Sequence, residues 1–333
     1  MNNFIELSEI KNASELLQGV VIKTPFQKIK SYSKKFNANI FFKREDLQKV
    51  KTFKTRGAVN KISSLDKSQV INGLVCASAG NHAQGFAVSC TTLGYEGKVY
   101  MPISTTNQKI NQVKKFGKNN IEIVLYGENF TQAYKKAIED CDFYNKIFIH
   151  PFDDLKVITG QATLFLEIIG QINHELDYLF IPIGGGGLIS GAINVFKQLS
   201  PKTKIIGIEP KGAPSMFESL KKNRIVTLKK IDRFVDGIAV KKVGNISFNF
   251  CKNFLDDIII IDENEICNSL VELLNIENIV SEPAGAMSSA ALSHYKDKIV
   301  GKNVGCIICG GNNDKSRMPD IISRSNNWIN KVY

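Results

Sequence analysis

Short apolar runs alternate with amphipathic stretches along almost the whole chain. The runs NIFFKRE (39–45), GLVCAS (73–78), GKVYMP (97–102), IEIVLYG (121–127), KIFIHP (146–151), DYLFIPIG (177–184), TKIIGIEP (203–210), DDIIIID (256–262) and KNVGCIICGG (302–311) predict strands. Between many of them, helical spacing of apolar residues predicts helices at 81–94, 106–116, 129–142, 155–171, 188–199, 264–275 and 283–295. The strands are nearly continuous Val, Ile and Leu, as expected when both faces of a parallel sheet are covered by helices. At 333 residues the chain exceeds what one core usually holds, so two lobes are expected. No fixed-period repeat or low-complexity linker divides it, so the second lobe should be inserted into the first. The expected fold is α/β with two doubly wound parallel-sheet lobes. Residues 1–70 and 151–333 would form the larger lobe and 71–150 a smaller, mobile one.

In such sheets ligands bind at the carboxyl ends of the strands. Three polar, glycine-containing clusters fall at those ends: ASAGNHAQ after GLVC, GGGGL after LFIPI, and CGGNND after VGCII. A single crevice is implied.

Composition narrows the function mainly by exclusion. The chain is 43% hydrophobic and 23% charged, with a net charge of +11, but its lysines are spread throughout and no arginine-rich arm exists. Nucleic-acid binding, which needs a concentrated basic stripe or a recognisable module, is not indicated. No secretory signal opens the sequence, and no apolar run approaches the ~20 residues of a membrane span. Seven scattered cysteines, an odd number, do not form a secreted disulfide framework, which points to the cytoplasm. Cys306 and Cys309, three apart on a strand, face opposite ways and cannot share a metal. No further pair or nearby histidine completes a zinc set.

Three stretches carry candidate chemistry. In VKTFKTRGAVNKI, Lys54 begins a helix, where the positive pole of the dipole disfavours a cation. It is either a reactive, deprotonated amine of the Schiff-base type or one surface charge among 43 Lys and Arg. In IPIGGGGLISGAI, Gly184, Gly185, Gly186 and Gly187 precede a helix beginning near Leu188. Such a turn exposes backbone N–H groups to an anion, a phosphate monoester being the natural guest; the alternative is a tight connection without ligand. It matches neither the ATP-binding loop nor GxGxxG. In CASAGNHAQGFA, Ser78, Ala79, Gly80 and Asn81 could present N–H groups and an amide to a small carboxylate, or could simply cap the helix. His82 reads as helix packing or capping rather than as a base.

Taken together, these elements resemble the fold-type II pyridoxal-phosphate enzymes, in the branch of threonine dehydratases and serine racemases. TFKTRGA, ASAGNHAQG, GGGGL and CGGNND match its four motifs in order, and KREDLQ, HPFDD, FVDGIAVKK and EPAGA also fall in place. The resemblance runs from residue 20 to residue 325, and is strongest to the catalytic part of bacterial biosynthetic threonine deaminases.

The resemblance implies pyridoxal phosphate carried covalently by Lys54, with Phe53 against its ring, Asn81 on its 3-hydroxyl, and Gly184, Gly185, Gly186, Gly187 and Leu188 on its phosphate. Cys309 stands by the ring nitrogen, where most relatives have serine; a thiol is a weak partner that leaves the ring near neutral. Ser78, Ala79, Gly80, Asn81 and His82 would meet the substrate. The implied activity is conversion of L-threonine to 2-oxobutanoate and ammonia, with L-serine as a poorer substrate. A serine racemase or L-serine dehydratase is the enzymatic alternative. A cofactor-binding regulator would be expected to lose Lys54 or the glycine loop, and both are intact. Racemases of this branch carry a serine immediately before the Gly-Asn pair; here that residue is Ala79, with no proton to give. Relatives that bind a cation use a glutamate, a carbonyl and an aspartate. The matching positions are Glu209, Ala213 and Ser215, so the missing carboxylate leaves a divalent ion, a monovalent ion or none open. A homodimer or homotetramer is implied. Biosynthetic relatives continue into an isoleucine-sensing domain, and a match ending at residue 325 leads to the expectation of no such domain and no isoleucine effect.

Overall fold

The structure, a computed structural model, describes residues 4–332. Its ten strands are β1 (Phe26–Lys28), β2 (Asn39–Arg44), β3 (Leu74–Ala77), β4 (Gly97–Met101), β5 (Ile121–Leu125), β6 (Ile147–Phe148), β7 (Tyr178–Pro182), β8 (Lys204–Pro210), β9 (Asp257–Ile261) and β10 (Asn303–Ile308). They form two sheets. Six strands take the order β1-β2-β10-β7-β8-β9, and four take the order β5-β4-β3-β6. The strands of the smaller sheet all come from between β2 and β7 of the larger one. Every pairing is parallel except that of β1 with β2.

All nine expected strands are present; β1 was not anticipated. It has three residues, of which only Phe26 is buried, so its sequence carries no continuous apolar run. Its connection to β2, residues 29–38, is shorter than the dozen or more residues of a parallel crossover, and the pair is accordingly antiparallel. The expected helices are present with small shifts at their ends. The last runs as an α-helix over Pro283–Ala290 and then tightens into a 3-10 turn over Ala291–Tyr295. The helices Leu7–Leu16, Lys30–Phe36, Ser215–Lys221, Asn245–Phe254 and Met318–Val332 were not read from the sequence.

The helix Lys54–Ser63 positions the site. It packs against both Asn81–Leu93, which covers the smaller sheet, and Leu155–Gln171, which covers the larger one. The second crossing is close because two glycines meet: a Cβ on Gly160 would lie 2.4 Å from the Arg56 carbonyl oxygen and 2.7 Å from the Gly57 Cα. On the other side, a Cβ on Gly85 would stand 3.0 Å from the Lys54 carbonyl carbon. A larger residue at Gly160 would push the helix out of its place, whereas at Gly85 the helix start would have to give slightly.

The same helix is pinned by buried charge. Arg56 bonds Glu45 at 2.9 Å and Glu167 at 2.7 Å, and Lys43 reaches Glu167 at 2.6 Å and the Thr24 carbonyl at 2.7 Å. Arg56, Lys43 and Glu45 are each fully buried. Burial alone would raise the Glu45 carboxyl, but the charge and hydrogen bonds of Arg56, with Lys43 and Thr24, together outweigh it and hold the group below its ordinary range.

Candidate active site

The three strand-end clusters converge. Cys309 directly follows β10, and its carbonyl accepts from the Phe53 amide at 3.4 Å, which sets the start of the Lys54 helix against that strand end. From the end of β3 comes Asn81, whose amide nitrogen donates to Glu282 at 2.7 Å. Asn312, beyond β10, donates its side-chain amide to the Asn81 oxygen at 2.8 Å and its backbone N–H to Glu282 at 3.2 Å. Asn81 is therefore held by one partner at each end of its amide.

Lys54 is the first residue of its helix, with Phe53 as the residue before it. Its Nζ donates to the Pro151 carbonyl at 2.9 Å and lies 5.2 Å from the centre of the Phe53 ring. Burial pushes the amine down to about 8, against the pull of nearby acidic groups. The other side chains facing it are weakly charged. Burial takes the His82 ring down to about 3 and the His150 ring to about 4, and it raises the Cys309 thiol well above its usual value. His82 also bonds the Ile149 carbonyl at 2.9 Å, so it joins its helix to the end of β6, as a packing residue would.

The loop after β3 is more open. Ser78 Oγ accepts the Gly80 N–H at 3.2 Å, Ala79 is half-buried, and a Cβ on Gly80 would meet nothing within 4 Å. This loop faces free space beside Asn81.

Gly184, Gly185 and Gly186 lead from β7 into the helix Gly187–Leu199, with Leu188 buried in its first turn. Gly186 takes a left-handed φ of 96°, which a side chain would strain. Among the described residues, no acceptor faces the N–H groups of Gly185, Gly186 or Gly187. Donors of this kind at a helix start suit an anion.

Sequence reading missed two contributors. Glu282 was visible only within EPAGA, where an acid before a helix-starting proline looks like a plain cap. Burial, with the charge of Asp236, raises its carboxyl to about 7. The segment HPFDD, residues 150–154, is the other. Pro151 receives Lys54, the Phe152 ring fills the space a Cβ on Gly185 would need, and Asp153 accepts from the Asn245 and Ile246 N–H groups at 2.8 and 2.9 Å.

The Glu209, Ala213 and Ser215 stretch has a different place. The Glu209 carboxylate accepts from the Met216 and Phe217 N–H groups, both at 2.8 Å, and caps the helix Ser215–Lys221. Its oxygens face donors, and Ala213 and Ser215 are buried beside it. Among the described residues, no group of three or more His, Cys, Asp or Glu could hold a metal.

A family model described as pyridoxal-phosphate dependent enzyme matches residues 17–310. The chain belongs to that family. A pyridoxal-phosphate-dependent enzyme needs a lysine able to shed its proton and a seat for a phosphate, and a buried amine and three free N–H groups at a helix start fit both. Among relatives, the chain is 50% identical over 321 residues to a biosynthetic L-threonine dehydratase of Halalkalibacterium halodurans, covering 96% of this chain and 77% of that protein. It is 50% identical over 324 residues to the corresponding Bacillus subtilis protein, covering 97% and 77%. Of solved structures, the processed threonine deaminase isoform 2 of Solanum lycopersicum superposes with a TM-score of 0.91 at 36% identity, covering 96% of this chain and 92% of that one. Maize serine racemase gives 0.89 at 28% identity, covering 98% and 100%.

Proposed function

We propose that this chain is an L-threonine ammonia-lyase, converting L-threonine to 2-oxobutanoate and ammonia, with L-serine as a poorer substrate. The observation that carries this reading is the 50% identity to L-threonine dehydratases across nearly the whole chain. Pyridoxal phosphate, when bound, supplies the electron sink that acidifies the Cα proton of an amino acid.

The chain's own residues do the rest. The Lys54 amine would carry the cofactor and, once released, take the Cα proton at Nζ; a pKa lowered to about 8 leaves a minority as free base near neutral pH, yet far more than an ordinary lysine has. Asn81, clamped by Glu282 and Asn312, holds the 3-oxygen of the cofactor. Phe53 packs against the ring, and residues 184–188 hold the phosphate. Ser78, Ala79, Gly80 and Asn81 receive the substrate carboxylate from the open loop, with His82 supporting them from the first turn of the helix behind it. Cys309 meets the ring nitrogen with a neutral thiol, which cannot stabilise a protonated ring as a carboxylate would. A neutral thiol at that position would leave the bound cofactor a weaker electron sink. Residues 71–150 act as the mobile lobe against residues 1–70 and 151–333. No helix among the described residues is long and apolar enough to cross a membrane, and every cysteine is free and buried, which supports a cytoplasmic enzyme. Assembly is as a homodimer or homotetramer, to be measured by sedimentation. The test of the activity is a 2-oxoacid assay with L-threonine, alongside the cofactor absorbance band near ~410 nm; a protein with the band and no 2-oxobutanoate refutes the assignment.

The same site predicts little racemisation. Wild-type protein given L-serine yields pyruvate with little D-serine, because Ala79 offers no proton to the face opposite Lys54. Ala79→Ser raises the D-serine fraction by about tenfold, a modest share of the ~10²–10⁴ a positioned acid supplies. Chiral chromatography of the products decides it, and abundant D-serine from the wild type means that another group protonates that face.

A further inference from the structure

Ser247 carries a buried hydroxyl beside the glycine turn. It lies in the first turn of the helix Asn245–Phe254, is fully buried, and its Oγ has no hydrogen-bond partner. A hydroxyl buried in that way costs stability and is rare without a reason. Its surroundings supply one. The Oγ lies 3.0 Å from the point a Cβ on Gly186 would occupy, against the middle of the four-glycine turn. Three hydrogen bonds anchor the start of its helix, one of them directly to that turn. The Gly244 N–H donates to the Gly185 carbonyl at 3.0 Å, and Asp153, whose neighbour Phe152 packs on Gly185, accepts from Asn245 and Ile246. Because Asp153 takes those two N–H groups, the helix start has no further backbone donor in its first two positions. The Ser247 hydroxyl is what remains pointing at the turn.

We propose that Ser247 Oγ is a ligand of the cofactor phosphate, the one side-chain donor in a cradle otherwise made of backbone N–H groups. The proposal rests on the phosphate being seated at residues 184–188. An O–H donating to a phosphate oxygen is charge-assisted and stronger than a neutral pair. It also explains why the small, left-handed Gly186 faces a serine: both are needed for the anion to come close. A threonine would keep the hydroxyl at the same place, and an alanine would remove it without altering the helix.

The test compares wild type, Ser247→Ala and Ser247→Thr, each stripped of cofactor and titrated with pyridoxal phosphate and, separately, with pyridoxal, which lacks the phosphate. Ser247→Ala weakens pyridoxal phosphate binding by about tenfold, leaves pyridoxal binding unchanged, and does not lower the melting temperature of the stripped protein. Ser247→Thr restores binding. Equal losses for both compounds, or a lower melting temperature of the stripped Ser247→Ala protein, make Ser247 a packing residue and overturn the proposal. Unchanged binding of both compounds overturns it as well, while the wild-type preference for the phosphorylated compound keeps the phosphate seat intact. A wild type that binds the two compounds equally removes the seat itself, and the proposal with it.

Discussion

Lys54→Ala lowers ammonia-lyase turnover by about 10⁴-fold, the upper end of what a positioned proton-transfer group contributes. It also ends covalent attachment of the cofactor, while the glycine turn still binds its phosphate. Both effects follow from one amine. Lys54 is half-buried at a helix start, its Nζ is bonded to the neutral Pro151 carbonyl, and desolvation lowers its pKa to about 8. No other lysine occupies such a setting: Lys43, the one fully buried lysine among the described residues, is paired with Glu167. Borohydride reduction of the wild type followed by peptide mapping places a pyridoxyl label on Lys54 alone. Label on any other residue, or turnover by Lys54→Ala above a few per cent of wild type, removes the assignment and the proton transfer built on it.

Arg56→Ala destabilises the protein by about 3–5 kcal/mol, the usual result of removing one partner from a buried charge cluster. The loss comes less from the missing attraction than from what is left behind, since Glu45 and Glu167 then face each other with only Lys43 between them. Equilibrium unfolding in guanidinium chloride measures it. The pH dependence gives a second readout with a definite sign. Arg56 holds the folded-state Glu45 carboxyl below its ordinary 4.5, so this stabilisation is present above that pH and fades as pH falls through the lowered value. The gap between wild type and Arg56→Ala therefore narrows in acid and is full near neutral pH. Because Arg56 lies in the helix that begins at Lys54, the variant also loses cofactor. A variant as stable as the wild type at neutral pH shows that the cluster adds nothing net, as some buried clusters do not.

Much of this protein could be read directly from its residues. Strands such as β7, β8 and β10 are covered on both faces, so their sequences are near-continuous apolar runs bounded by Gly, Asp and Asn, and parallel pairing follows from burial alone. The glycine turn, the Lys54 helix start and the Asn81 loop were equally legible, because each needs a residue type with a local physical cause: backbone close approach, a cation at the wrong helix pole, a strand end. What sequence could not reveal depends on contacts between distant segments. Arg56 looks like any surface arginine until Glu45 and Glu167 close around it from two other elements. Glu282 looks like a helix cap until it meets Asn81, 201 positions away. Ser247 belongs to a helix that the sequence reading passed over, and its orphaned hydroxyl acquires meaning only where that helix touches Gly186. Local pattern determines which residues form strands, turns and helix starts, because those depend on neighbours in the chain. Desolvation, pairing and the direction of a buried donor depend on neighbours in space, and only the tertiary structure decides them.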